Sequence, residues 1–148
     1  MTHIEYQKGV GLIEILITLL VLAIGILGLA ALQTQALKNN ESAFQRSQAV
    51  ILSYAAFDMM RVNRVDALKG QYNISMTCSA PTGSSTLAAK DLGYWIGTIK
   101  ESLGSDACGK INCKSTGDCT VTIQWNEERA TRATTDASSQ TLSTQTRL

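Results

Sequence analysis

One apolar run near the beginning of the chain constrains the fold more than any other feature. From Val10 to Leu32 the sequence contains a single charged residue, Glu14. At about 1.5 Å per residue, a helix of this length crosses the roughly 30 Å hydrocarbon core of a bilayer. A cleaved secretory signal has a shorter apolar region that stops at a small-x-small site, and this run does not stop there. Residues 10–32 therefore predict a membrane-spanning helix.

The helical pattern continues beyond the apolar run. The stretch from Leu29 to Lys69 contains no proline or glycine. We predict one nearly continuous helix from about residue 10 to 68, ended by Gly70, in which residues 33–70 form an amphipathic continuation. The side chains expected to face a covering domain share one stripe at helical spacing. They are Leu37, Phe44, Ile51, Ala55 and Val62, flanked by Ala43, Val50 and Tyr54.

Residues 71–148 must supply the domain that covers this helix. Residues 72–77 and 120–125 alternate apolar and polar side chains and predict strands, and residues 141–148 alternate weakly and predict a third. Between the first two strands we expect a short helix with Ser85 as N-cap and Gly104 just past its end, then a loop up to Cys119. Residues 127–140 predict a polar connection. The apolar face of the short helix comprises Ala88, Leu92, Trp95, Ile96, Ile99 and Leu103.

All the cysteines lie in the second half of the chain, and there are four of them: Cys78, Cys108, Cys113 and Cys119. Their spacing differs from the paired C-x-x-C pattern of zinc sites. An even number in a small domain favours disulfides and an oxidising compartment over four free thiols in the cytosol. Three pairings are possible, and we favour Cys113 with Cys119 and Cys78 with Cys108.

The residue inventory argues against an enzyme or a metal site. The only histidine is His3, so no catalytic triad or histidine-based metal site is expected. We expect no cofactor and no small-molecule substrate. The formal net charge of +1 gives no electrostatic case for direct contact with nucleic acid. Trp95 and Trp125 are expected in the core, and Asp58 and Arg61 are expected to pair on the helix surface.

The residues around the start of the apolar run resemble a known signal. Lys8 and Gly9, followed by Val10-Gly11-Leu12-Ile13-Glu14, resemble the type III signal of type IV prepilins and type II secretion pseudopilins. In that family a dedicated peptidase cuts after the glycine and methylates the new N-terminus. The resemblance implies that residues 1–9 are a cleaved leader, with cleavage between Gly9 and Val10 and N-methylation of Val10.

Further segments resemble the PilV group of minor pilins. GLIEILITLLVLAIGILGLAALQ (11–33) and AFDMMRVNR (56–64) look like that group, and its later D-L-x-x-W and TVT-x-x-W segments correspond to residues 91–95 and 120–125. The resemblance implies a pilin-like α+β fold, in which the long helix packs against a small antiparallel β-sheet with one extra short helix. Two positions depart from the family, because Val10 replaces the usual phenylalanine and Ala31 stands where many pilins have a helix-breaking proline.

The single carboxylate inside the apolar run needs an explanation. Burying it in a bilayer costs about 2.5 to 3.5 kcal/mol. The resemblance implies that Glu14 meets the positive N-terminus of a neighbouring subunit and sets the axial register of the filament. The alternative is that Glu14 lies near the cytoplasmic interface and is solvated there.

The resemblance also implies partners and a location. We expect a single-pass inner-membrane protein with a cytoplasmic N-terminus and residues 71–148 as a periplasmic headgroup, incorporated into a pilus at the cell surface. Its expected partners are other minor pilins and the major pilin, through the N-terminal helix, and transiently the prepilin peptidase. The expected function is pilus assembly, supporting twitching motility, adhesion or DNA uptake. The alternatives are a minor pseudopilin of a type II secretion system and a membrane-anchored periplasmic enzyme.

Overall fold

The computed structural model describes residues 11–81, 85–127 and 139–148. Helix α1 runs from Leu12 to Val62 and the short helix α2 from Arg64 to Leu68. Strand β1 (Ile74–Thr77), helix α3 (Leu87–Leu103) and strands β2 (Cys108–Cys113), β3 (Asp118–Asn126) and β4 (Ser139–Arg147) follow. The chain divides into two compact units, residues 1–37 and residues 38–148.

The four strands form one antiparallel sheet in the order β1-β2-β3-β4. Each strand pairs with its neighbours in sequence, which is the simplest antiparallel arrangement. The predicted α+β class, with a long helix, a small antiparallel sheet and one additional helix, is confirmed.

The predicted helix ends earlier than expected. At Asn63 the backbone leaves helical geometry, with φ −113° and ψ 49°. The Asn63 side chain donates a hydrogen bond to the Tyr72 hydroxyl, 3.3 Å away, so it is turned towards the chain segment that follows α2. Helix α2 then resumes for five residues, and the chain leaves it through Gly70, whose φ of +78° favours glycine.

The predicted buried stripe of the long helix was wrong. Leu37, Phe44, Ile51 and Val62 are exposed, with 56–86% of their surface accessible. A different face is buried, displaced around the helix and rich in small side chains that allow close approach. It comprises Ala49, Leu52, Ser53, Ala56, Phe57 and Met60.

Helix α3 buries the face predicted from the sequence. Its buried residues are Ala88, Leu92, Trp95, Ile96, Ile99 and Leu103. Its N-cap, however, is Thr86 rather than Ser85, because the Thr86 hydroxyl accepts a hydrogen bond from the Ala89 N–H, 3.3 Å away. Gly104 ends the helix with φ +112°.

The strands differ from the predictions in three places. Strand β2 lies where a loop was predicted, and β1 is shorter than predicted because Tyr72 belongs to the preceding turn. Strand β4 begins at Ser139, inside the predicted connection, whose residues 128–138 lie outside the described residues. Strand β3 contains the whole of the predicted strand at 120–125, and the pairing of β4 with β3 is also as predicted.

The core of the second unit lies between the helices and one face of the sheet. Trp95 and Trp125 are buried, as predicted, with 1% and 3% of their surface accessible. A Cβ atom at Gly109 in β2 would lie 2.7 Å from two ring carbons of Trp95. Only a glycine therefore lets α3 pack this closely on β2.

Two disulfides cross-link this unit. Cys78, just after β1, is bonded to Cys108 at the start of β2, and Cys113 is bonded to Cys119 across the β2–β3 hairpin. The four cysteines are thus placed as structural cross-links of the sheet, in keeping with an oxidising compartment.

A hydrogen-bonded chain joins the end of α1 to α3. The Tyr72 hydroxyl donates to the Asp91 carboxylate, 2.5 Å away, and accepts from Asn63. Tyr72 itself is buried, with 1% of its surface accessible. Burial, and next the hydrogen bond to Asp91, raise the pKa of Tyr72 to about 12. This contact gives both Asn63 and Asp91 a structural role.

The raised pKa of Tyr72 predicts a loss of stability in strong alkali. Unfolded tyrosine ionises near pH 10, so below that pH both states are protonated and the stabilisation is fully present. Between pH 10 and about 12 the unfolded state ionises first, and stability falls. We expect the wild type to lose about 2 kcal/mol more than Tyr72→Phe between pH 9 and pH 11.5 in urea unfolding. A Tyr94→Phe control, at an exposed position, should behave as wild type; equal losses in all three proteins would contradict the assignment.

Candidate functional site

Residues 12–32 of the first unit present an apolar surface with a single charge, Glu14. Within α1, every residue from Leu12 to Leu37 is exposed. Leucine and isoleucine dominate this surface, and their side chains are typically 50–78% accessible. A helix that is apolar all round requires a lipid or protein environment on all sides.

The two threonine hydroxyls of this segment form hydrogen bonds within the helix. The Thr18 hydroxyl donates to the Ile15 carbonyl at 2.8 Å, and the Thr34 hydroxyl donates to the Ala30 carbonyl at 3.0 Å. Such local bonds let hydroxyl groups sit in an apolar environment without an external partner. Within the described residues α1 is the one helix that has the length and composition to cross a membrane.

Glu14 lies in the first turn of α1. Its N–H donates to the Gly11 carbonyl at 2.9 Å, which fixes the start of the helix. A carboxylate in the first turn is favoured by the helix dipole, which places partial positive charge at the N-terminus. No hydrogen bond or ion pair to the Glu14 side chain is seen in the described part of the chain.

Two predicted site residues cannot be placed. Gly9 and Val10, the predicted cleavage and methylation positions, lie outside the described residues. Within those residues there is no group of three or more histidine, cysteine or acidic side chains that could hold a metal ion.

Sequence reasoning missed a buried polar contact between α1 and the end of β3. Glu127 has 2% of its surface accessible; it accepts a hydrogen bond from the Ser42 hydroxyl at 3.2 Å and faces the Arg46 guanidinium at 3.7 Å. Because Glu127 begins a run of charged residues, the sequence pattern indicated a solvated loop. The signal available in the sequence was Arg46, a cation on the amphipathic part of α1 that could pair with an acidic residue of the sheet. The predicted pair of Asp58 and Arg61 is present at 2.8 Å.

Comparison with known proteins identifies the N-terminal signal. Residues 6–30 match the family model described as the prokaryotic N-terminal methylation motif. Searches of curated proteins and of solved structures returned no match. The motif covers the segment in which Glu14 and the exposed apolar surface lie, and it is the signal of type IV pilins and pseudopilins. Motif, apolar helix and disulfides together support a membrane-anchored, type IV pilin-like protein with a structural role.

Proposed function

We propose that this protein is a minor pilin of a type IV pilus, of the PilV group, that helps to initiate pili and is incorporated into them. The observation that carries the proposal is the exposed apolar surface of residues 12–32, which contains one carboxylate, Glu14. A surface of this kind can be covered first by lipid and then by the helices of other pilins. The pilin signal of residues 6–30 supports the same reading.

In this proposal each part of the chain has one task. Residues 1–9 are the leader, removed by the prepilin peptidase between Gly9 and Val10, and Val10 is then methylated. Residues 10–32 anchor the protein in the inner membrane and later lie in the filament core, with residues 33–70 continuing the helix. Residues 71–148 form the periplasmic headgroup. The exposed stripe that includes Phe44 and Ile51 extends the surface available to neighbouring helices.

The maturation step can be tested by mass spectrometry of the N-terminal peptide. We expect a chain that begins at N-methylated Val10 in cells with the prepilin peptidase, and an uncut chain in cells without it. A chain that still begins at Met1 in both strains would overturn the pilin assignment. Recovery of the mature chain in filaments sheared from the cell surface, rather than only in the cell envelope, separates a pilus subunit from a type II secretion pseudopilin.

Glu14 is expected to control incorporation rather than insertion. The amount of the Glu14→Leu variant in the membrane fraction should remain within about twofold of wild type, because removing a charge does not disfavour membrane insertion. The amount in sheared filaments should fall at least about tenfold, which corresponds to about 1.4 kcal/mol of lost pairing. Immunoblots of the membrane and filament fractions measure both.

The matched control for Glu14 is Thr18→Val, one turn further along the same segment. The Thr18 hydroxyl is already bonded to Ile15 in its own helix, so this variant should be incorporated normally. Normal incorporation of Glu14→Leu would show that the carboxylate has no register role and is simply solvated.

A further inference from the structure

The outer edge of β4 is long and regular. β4 pairs with β3 along all nine residues, from Asp118 opposite Arg147 to Asn126 opposite Ser139, without a change of register. The sheet ends at β4 within the described residues. An edge strand of this length carries a row of backbone groups that another strand can pair with.

The backbone bonds at the hairpin show which groups point outwards. The Lys114 N–H donates to the Asp118 carbonyl, so Asp118 is directed towards β2, and the Leu148 N–H donates to the Gly117 carbonyl, each at 2.9 Å. Backbone groups alternate in direction along an antiparallel strand. Even-numbered residues of β4 therefore bond to β3, and odd-numbered residues direct their N–H and C=O groups away from the sheet. These are Ser139, Thr141, Ser143, Gln145 and Arg147.

The two edges of the sheet are protected differently. β1 has only four residues and an irregular register. Beside it the Asn73 side chain accepts from the Cys113 N–H at 2.7 Å and donates to the Cys113 carbonyl at 3.1 Å. β4 contains no proline, glycine or lysine, and its single charge is Arg147 at one end. The usual devices that block strand addition are thus absent from β4.

Partly exposed apolar side chains lie on α1, close to the flank that contacts β4. The Arg46 guanidinium donates to the Gln140 side chain at 3.1 Å, which places this flank over β4. Val50 follows one turn later on the same flank. Tyr54, two turns after Arg46, is turned by about 80° from it towards the outer side of α1. Val50 and Tyr54 are 38% and 53% accessible, and Leu142 of β4 is only partly buried. A strand beside β4 would meet backbone groups along one side and apolar side chains on the helix side.

We propose that β4 receives an extended strand from a partner protein by strand addition. The partner strand is uncharged, and its side chains alternate between apolar and polar. The apolar side chains face Val50, Tyr54 and Leu142, and hydroxyl or amide side chains lie on the other face. The second set would extend the polar outer face, where Thr122 bonds Ser143 at 3.2 Å and Gln124 bonds Ser139 at 2.7 Å.

Two other occupants suit the edge less well. A second copy of β4 offers Leu142 as its only large apolar residue, so it would leave the flank of α1 uncovered. Residues 128–138 of the same chain carry two acidic and two basic side chains and no large apolar one. The inference does not depend on the proposed function, since it involves none of Gly9, Val10 and Glu14.

The test uses the full ¹⁵N-labelled chain in detergent micelles and a synthetic peptide, TVTIQWN, which repeats residues 120–126. This peptide has the required alternation and already pairs with β4 on its inner side as part of β3. With peptide, the amides of Thr141, Ser143 and Gln145 should exchange at least about tenfold more slowly, whereas those of Leu142 and Thr144 should be slow throughout.

Substitution at Ser143 provides the matched pair of variants. Ser143→Pro removes an outward N–H but no backbone bond to β3, and the side-chain contact with Thr122 is lost equally in Ser143→Ala. The sheet should therefore persist while peptide affinity, measured by fluorescence anisotropy of labelled peptide, falls at least about tenfold. Ser143→Ala keeps the N–H and should bind within about twofold of wild type. A scrambled peptide of the same composition should bind more weakly than TVTIQWN.

Four results would overturn the proposal. One is unchanged exchange at Thr141, Ser143 and Gln145 with saturating peptide, a result that needs no variant to fold. Another is a folded Ser143→Pro variant that binds the peptide with the same affinity as the wild type. Slow exchange of these outward amides in dilute protein alone would show that the chain covers its own edge. A concentration-dependent dimer, lost in Ser143→Pro, would assign the edge to a second copy.

Discussion

Replacing Trp95 by alanine is expected to lower the free energy of unfolding by about 4 kcal/mol. Trp95 of α3 is buried, and two of its ring carbons lie 2.7 Å from the position that a Cβ at Gly109 of β2 would take. Its indole N–H also donates to the Leu52 carbonyl of α1 at 2.9 Å. The side chain therefore joins three elements, and its loss leaves a cavity that the close packing around Gly109 cannot fill. Urea unfolding of the full chain in micelles, followed by the fluorescence of Trp125, measures the change.

A comparison of two phenylalanine variants isolates the hydrogen bond. Trp95→Phe loses the bond to Leu52, whereas the indole N–H of Trp125 is buried and has no hydrogen-bond partner in the described structure. Leaving a buried donor unpaired is unfavourable, so Trp125→Phe should cost less than Trp95→Phe by about 1 kcal/mol. Equal costs would mean that packing alone accounts for the role of Trp95.

Elements that bury one face against the core were predictable. Helix α3 has a single apolar stripe, and all six residues predicted on it are buried. Strand β3 alternates strictly, with its odd-numbered residues from Cys119 to Trp125 buried. Each of these elements has a single hydrophobic periodicity and a single apolar face, so only one face can be buried.

Helix α1 has two apolar faces, and for that reason the sequence pattern predicted the wrong buried face. The stripe of large side chains, such as Phe44 and Ile51, is exposed, while smaller residues such as Ala49, Ser53 and Ala56 face the core. Close packing on a sheet and a second helix selects small side chains, a requirement that belongs to the partner element and not to α1 itself. Periodicity alone does not distinguish a face that packs within the chain from one available to other molecules.

Strand β2 was missed because its signal is long-range. Gly109 made the segment resemble a loop, yet the need for glycine comes from the Trp95 ring, which lies on another element. The structure forms the cysteine pairing that we favoured, Cys78 with Cys108 and Cys113 with Cys119. The sequence alone allowed three arrangements, because only the sheet decides which sulfur atoms meet. For the candidate site, the sequence was enough to locate the apolar segment and Glu14 because both depend on local chemistry.

Opening the disulfide between Cys78 and Cys108 is expected to cost more than opening the one between Cys113 and Cys119. The first closes a loop with a sequence separation of 30 that contains all of α3, and the second closes a separation of 6. The chain-entropy relation gives about 3.6 kcal/mol for the longer loop and about 2.2 kcal/mol for the shorter. In addition, Cys113 and Cys119 already face each other as a registered pair of the β2–β3 hairpin.

Two double variants separate the covalent link from the packing of the side chains. Cys113→Ala with Cys119→Ala retains only the longer loop, and Cys78→Ala with Cys108→Ala retains only the shorter. Urea unfolding of each variant with and without reductant compares the same side chains with the bond closed and open. The loss on reduction should be larger by about 1.4 kcal/mol in the variant that keeps Cys78 and Cys108. If the two losses are equal or reversed, unfolded-chain entropy does not control these bonds, and their main effect lies in the folded sheet.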